Sequence, residues 1–352
     1  MEPATTSTFP NSDPLRDFAE SRGTSVPRDA MAEACRQLRV GVGELSPPID
    51  LRPLLQKMDV KVVHEETSGD AILRRRTGGG WSIGISKDAY SRSRRRSRFT
   101  IAHELGHIIL FRAFEDLGMS VRALQSPEHW QAVESLCNFA AAELLLPRET
   151  LESALRTRGL GGETIGDLRR TFDVSWQALW IRIAEVLPST SVATWKFHAR
   201  PDRNEREAFR VTQSYGGGRS RPWLPEGLTS RYLDPDLISE AADGGDALAI
   251  EVDLNLSRTS KKIHALAINS KQLLTQSEPG LFDPTPIAHF RPLDADVVIF
   301  MTASEAVSSG AIAPVWEATR SAWQVRNGVS SSQSLAPEEV SSEGQLALQL
   351  DI

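Results

Sequence analysis

The sequence predicts an α+β fold, with a helical unit carrying a small β-sheet followed by a β-rich region. Two patterns and the composition predict it. Apolar residues recur at helical spacing through much of residues 28–187, broken by short extended runs between 60 and 86. Beyond Pro188 the texture changes to brief β-like runs. Hydrophobic residues make up 40% of the 352-residue chain, so it can build real cores, and this length suits about two domains at roughly 150 residues each.

Residues 1–27 are rich in Thr, Ser, Pro and mixed charge, and read as a loose, disordered leader. Met31, Ala34, Cys35 and Leu38 keep helical spacing between Arg28 and Val40. Leu51, Leu54, Leu55 and Met58 repeat the pattern after Pro47-Pro48, with Asp50 placed as a cap. Val60, Val62 and Val63 make a short strand. Residues 70–76 and 80–86 read as two more, joined by a turn at Thr77-Gly78-Gly79-Gly80. In the second of these, Trp81, Ile83 and Ile85 alternate with Ser82, Gly84 and Ser86, which predicts a half-buried strand. A long helix is expected over about Ser97–Phe111 and a second from Pro127 to Leu146, ended by Pro147.

Three short helical patterns fill 148–187. Of these, 164–187 resembles a helix–turn–helix, with a turn at Asp173-Val174 and Ser175 capping the last helix. The β-like runs are Val192–Phe197, Phe209–Thr212, Ala247–Leu254, Ile263–Asn269 and Val297–Met301. The expected organisation is therefore a leader (1–27), a helical unit (28–187), a β-rich accessory domain (188–328) and an acidic disordered tail (329–352) without Lys or Arg.

Composition excludes several classes. Forty basic against 46 acidic residues leave a net charge of −6, which does not suit a wholesale polyanion binder. Two cysteines, Cys35 and Cys137, give neither a disulfide framework nor a four-cysteine zinc module, and both read as small core residues. No run approaches 18 apolar residues, and residues 1–29 show no apolar stretch after a basic start. A soluble cytoplasmic protein without membrane contact is expected.

The chemistry concentrates in Arg98–Leu110. On a helix His103 and His107 are one turn apart and share a face, so two neutral imidazoles can hold one zinc ion. Glu104, beside the first imidazole, is placed to take a proton from water rather than to bind the metal. Phe99, Ile101, Leu105, Ile108, Ile109 and Leu110 surround the trio, so the polar residues sit on an apolar helix at a cost that needs a reason. Gly106, mid-helix, costs about 1 kcal/mol against Ala and implies close approach by another backbone or a ligand.

A catalytic site wants a third protein ligand. Glu115, Asp116, Glu128, His129, Glu134 and Glu143 are downstream candidates. Glu134 sits inside the apolar helix of Ala132, Val133, Leu136, Cys137, Phe139, Ala140 and Ala141, where an unpaired carboxylate is expensive. Glu143 and His129 do not share its face. Asn138, one turn on, does, and could orient the carboxylate or meet a substrate.

Arg98–Leu110 and Glu134–Pro147 together resemble the ImmA/IrrE family of zinc metallo-endopeptidases, over roughly residues 28–187. The resemblance implies a zincin-like helical catalytic domain in which His103, His107 and Glu134 hold one Zn2+ per chain and Glu104 is the general base. It also implies a protein substrate, a DNA-binding helix–turn–helix repressor, cleaved in a stress or mobile-element response. By analogy with zincins, the strand of Trp81, Ile83 and Ile85 would align an extended peptide through its backbone.

Two features compete with this reading. Arg92–Arg98 and Arg74–Arg76 are basic runs, read as solvated arginines that help cap neighbours. The last helix of the helix–turn–helix carries one basic residue, Arg182, balanced by Glu185, which argues for a scaffold role and against direct nucleic-acid binding. His198, His264 and His289 lack ligand spacing, and Trp195, Trp223, Trp316 and Trp323 read as core anchors. The rival functions are a DNA-binding regulator with a purely structural metal site, and an antitoxin-like binding protein.

Overall fold

A computed structural model describes residues 13–67, 69–87, 93–198, 209–216, 222, 224–229, 233, 235–256, 259–275 and 295–328. The expected tail at 329–352, together with Trp223 and His289, lies outside these residues. The fold is α+β, as the sequence predicts.

Helices α1 (Pro14–Ser21), α2 (Pro27–Val40) and α3 (Leu51–Lys57) lead into strands β1 (Val60–Glu65), β2 (Ala71–Arg75) and β3 (Trp81–Ser86). Asp13 and Asp50 cap α1 and α3 by accepting from the backbone N–H groups of Leu15 and Arg52. Part of the expected leader is thus ordered. Leu15, Phe18 and Ala19 follow helical spacing and are buried against α2 and the main core, which offsets the entropy of ordering this short segment.

The small sheet has the order β1-β3-β2, with β1 parallel and β2 antiparallel to β3. Strand β3 is therefore central, and it is buried on both faces rather than one. Ser82, Gly84 and Ser86 are small; Ser82 is half-buried, and Gly84 and Ser86 are buried like the apolar residues beside them.

Helix α4 (Arg94–Asp116) is longer than expected at both ends. Ser93 caps it by accepting from the N–H of Arg96, which draws the arginine run into the first helical turn. Those arginines are not simply solvated. Asp173 accepts from Arg94 at 3.1 Å and from Arg95 at 3.0 Å, Asp70 accepts from Arg96 at 2.6 Å, and Arg98 donates to the carbonyl of Ile49 at 3.0 Å. After a short 3-10 turn, α5 (Pro127–Leu145) packs along α4 and α2. Helices α6 (Arg148–Arg158), α7 (Gly162–Phe172) and α8 (Trp176–Val186) follow.

Helix α8 cannot serve as a recognition helix in this arrangement, because Trp176, Leu179, Trp180, Arg182, Ile183 and Val186 are all buried. Arg182, the one basic residue of this helix, is 1% exposed and bonded to Glu143, to Glu185 as its sequence position suggested, and to the carbonyl of Leu146.

The second sheet runs β5 (Phe209–Tyr215), β4 (Thr190–Phe197), β8 (Val297–Ala303), β7 (Thr259–Asn269), β6 (Asp246–Leu256), with every neighbouring pair antiparallel. Helix α9 (Pro235–Ala242) contributes Leu237, Ile238 and Ala241 to the apolar cluster on one side, around Trp195 and Ile299. The region is less purely β than expected, since α10 (Ser270–Thr275), α11 (Ser304–Ser308) and α12 (Ala313–Arg326) also belong to it. Helix α12 returns to the first unit. Thr319 Oγ1 accepts from the N–H of Leu160 at 2.7 Å, and a Cβ on Gly159 (φ +72°) would strike the backbone of Thr319. Asp246 adds a second tie, accepting from the N–H of Gly162 at 3.2 Å and from Arg326.

Candidate metal centre

Helices α4 and α5 cross at Gly106, where a Cβ would stand 2.9 Å from Ala140 Cβ and 3.1 Å from Cys137 Cα. The close approach expected at this glycine is thus to the backbone of α5, and it brings the polar face of α4 against Glu134. His103 and His107 Nε2 atoms lie 3.2 Å apart, with Glu134 Oε2 3.3 Å from the first and Oε1 3.1 Å from the second.

These spacings fit one small cation. Ligands about 2.0–2.2 Å from a tetrahedral zinc stand about 3.3 Å from one another. The donor set, two imidazole nitrogens and a carboxylate, is a common one for zinc. Asn138 Oδ1 accepts from His103 Nδ1 at 3.0 Å, so the lone pair of His103 sits on Nε2 and faces a carboxylate oxygen. Two electron-rich atoms in that relation call for positive charge between them.

Asn138, whose helical position suggested the carboxylate or a substrate, thus hydrogen-bonds a histidine of the site. Among the described residues His103, His107 and Glu134 are the single His/Cys/Asp/Glu group close enough to share an ion. Of the other candidates, Glu143 is committed to Arg182 and Glu115 to Arg75.

Burial sets the acid–base character. It pushes the imidazole of His107 down to about 4, with His103 adding to the effect, so His107 stays neutral with a free lone pair near pH 7. Burial, together with the charge of Glu134, pushes the carboxyl of Glu104 up to about 7. Both thiols are driven up by burial, Cys137 also by Glu134 and Glu104, which keeps them protonated and inert beside the site.

Strand β3 does not perform the alignment expected of it. Its backbone is paired on both sides, to β1 and to β2, leaving no free edge for a peptide. Ile83 and Ile85 are fully buried. Trp81 is 6% exposed, its ring 5.4 Å from Phe111 and under the guanidinium of Arg75. The three residues support α4 from below.

Trp130 escaped sequence reasoning. It lies one turn before Glu134 on α5, is 46% exposed, and stacks on His107 with ring centroids 6.0 Å apart and planes inclined by 17°. The only signal was its i, i+4, i+8 register with Glu134 and Asn138.

Residues 55–184, which contain this site, match the family model of the IrrE N-terminal-like domain. Through this segment the chain is similar to the ImmA/IrrE family. It is 30% identical over 110 residues to the radiation response metalloprotease IrrE of Deinococcus radiodurans, covering 31% of this chain and 34% of that protein. It is 34% identical over 90 residues to the protein of the same name from Deinococcus deserti, covering 26% and 32%. The chain thus aligns with about a third of the length of these relatives. A Mycobacterium tuberculosis transcriptional regulator superposes over 84% of the chain and 83% of its own, with a TM-score of 0.45 and 13% identity. Among the described residues, no helix is long and apolar enough to cross a membrane.

Proposed function

We propose that this protein is a cytoplasmic zinc-dependent endopeptidase of the ImmA/IrrE kind that cuts another protein in a stress or mobile-element response, with a helix–turn–helix repressor as the substrate class. The observation that carries the reading is the meeting of His103, His107 and Glu134 within hydrogen-bonding distance of one another, with Glu104 beside them on α4. His103, His107 and Glu134 would hold the ion. When bound, zinc supplies Lewis-acid chemistry, polarising a carbonyl and acidifying water at neutral pH.

The remaining work falls to the chain. Glu104 accepts a proton from the attacking water and returns it to the leaving amine as the C–N bond breaks. Asn138 holds the tautomer of His103. Residues 28–187 act as the peptidase unit and 188–328 as an accessory unit docked through α12. The buried α8 counts against the DNA-binding rival.

Metal analysis tests the first step, with about one zinc per chain expected and none in His103→Ala. Incubation with repressors of the helix–turn–helix class tests the second. A cut product should form with the wild type and vanish with Glu104→Gln while zinc stays bound. Cleavage by Glu104→Gln at the wild-type rate would end the peptidase reading.

A further inference from the structure

The two histidines of the site are held in different ways. His103 has its outer nitrogen fixed by Asn138. The outer nitrogen of His107, Nδ1, is buried and has no hydrogen-bond partner among the described residues. Metal-binding histidines are ordinarily aligned by a hydrogen bond to that second nitrogen, which fixes the rotation of the ring. Something else must set the ring of His107, and the structure offers aromatic faces. Trp130 stacks on it at 6.0 Å and 17°, Phe111 lies at 5.9 Å and 36°, and His103 meets it edge-on at 4.9 Å and 72°. All three separations fall within the range in which ring pairs attract.

Phe111 is buried and has other duties in the core. Trp130 is different. Nearly half of it faces solvent, so its burial contributes modestly to the core, and its stacking contact reaches from α5 across to His107 on α4. It also stands one turn from Glu134, so the two helices that share the site are linked by a ring pair next to the ion-pair distances.

We propose that Trp130 is a positioning residue, whose stacked ring takes the place of the missing outer hydrogen bond and fixes the imidazole of His107 with Nε2 toward Glu134. The proposal rests on the metal-centre reading above. Trp130 touches neither the ion nor the reacting atoms.

The test uses the full chain and zinc itself, in competition with a chromophoric chelator. Trp130→Ala should weaken zinc binding by about 10–100-fold, the range seen when outer-shell partners are removed. Trp130→Phe, which keeps a ring, should restore affinity to near the wild-type value. Trp130→Leu, which keeps apolar bulk without a ring, should not, and this pair of variants decides the matter should the alanine variant fail to fold. Affinity unchanged in Trp130→Ala, or equal in the Leu and Phe variants, overturns the proposal.

A wild-type chain that binds no zinc would instead defeat the metal-centre reading, and NMR of the metal-free chain then decides on its own. The ring protons of His107 should be shifted by the tryptophan ring current and should move in Trp130→Leu. Signals that stay in place overturn the stacking role.

Discussion

Gly106 and Cys137 are packed so closely that a Cβ on the glycine would stand 3.1 Å from the Cα of Cys137. This contact fixes the distance between the helix that carries the histidines and the helix that carries Glu134. Gly106→Ala sets two effects against each other. Better helix propensity stabilises by about 1 kcal/mol, while overpacking a core contact costs about 1–3 kcal/mol. The neighbours are a backbone atom and Ala140 Cβ at 2.9 Å, neither of which can swing aside, so the cost should win. The melting temperature should fall and zinc affinity should drop about tenfold or more, because α4 and α5 must part. A variant that melts higher than the wild type and keeps its zinc would refute this.

The metal-free protein should show opposed pH effects from two neighbours. Glu104, raised to about 7, keeps in the folded state a proton that the unfolded chain releases near 4.5, so its stabilising contribution is full below 4.5 and is lost as pH rises to 7. His107, lowered to about 4, refuses a proton that the unfolded chain takes up near 6.5, so its contribution is present above 6.5 and is lost as pH falls to 4. Glu104→Gln removes the first effect alone. With chelator present, the stability of this variant relative to wild type should therefore rise between pH 4.5 and pH 8, by up to about 3 kcal/mol at roughly 1.4 kcal/mol per unit. Denaturant titrations across that range check it, and a gap that does not change with pH would contradict it.

The buried pair Arg182–Glu143 makes a third prediction. The side chains are 1% and 6% exposed, and Arg182 also donates to the carbonyl of Leu146 at 3.0 Å. Removing one partner strands a buried charge, at about 3–5 kcal/mol, whereas an apolar pair of similar volume is near neutral. Arg182→Ala should melt far below the wild type, and Arg182→Met with Glu143→Leu should recover most of the loss. Any lost function in Arg182→Ala would then report unfolding rather than a broken DNA contact. Additive effects of the two single substitutions would count against the pair.

These cases also show which features local sequence could reveal. The spacing of His103 and His107 follows from the helical repeat alone, and Glu134 drew notice because a carboxylate inside an apolar helix needs a partner. Both are local arguments, and the structure brings these three side chains together. The stacking of Trp130 on His107 depends on how two helices cross, which no single helix encodes. In β3 the pattern misled, since Ser82, Gly84 and Ser86 alternate as polar residues would on an exposed face, yet their small size lets neighbours close over them. In α1 the spacing of Leu15, Phe18 and Ala19 was present, but Ser, Thr and Pro around it gave the composition of a loose leader.

The arginine run is the clearest case of a partner set by the fold. Arg94, Arg95 and Arg98 crowd the first turns of α4, where the helix dipole already presents positive charge. Asp173, 75 or more positions away in sequence, pairs with all three at 3.1, 3.0 and 3.5 Å. It does so from a left-handed backbone conformation, φ +51°, which asparagine tolerates as well as aspartate. Asp173→Asn should therefore keep the backbone and lose only the charge. Arg94 is largely exposed, so each outer pair is worth at most about 1 kcal/mol, and the summed loss should be about 1–2 kcal/mol at low salt. At 1 M NaCl, where screening acts over about 3 Å, the difference between variant and wild type should shrink to less than half. Melting curves at the two salt concentrations measure it, and a loss of equal size in both would mean that Asp173 acts through local hydrogen bonding rather than as the counter-charge of the helix start.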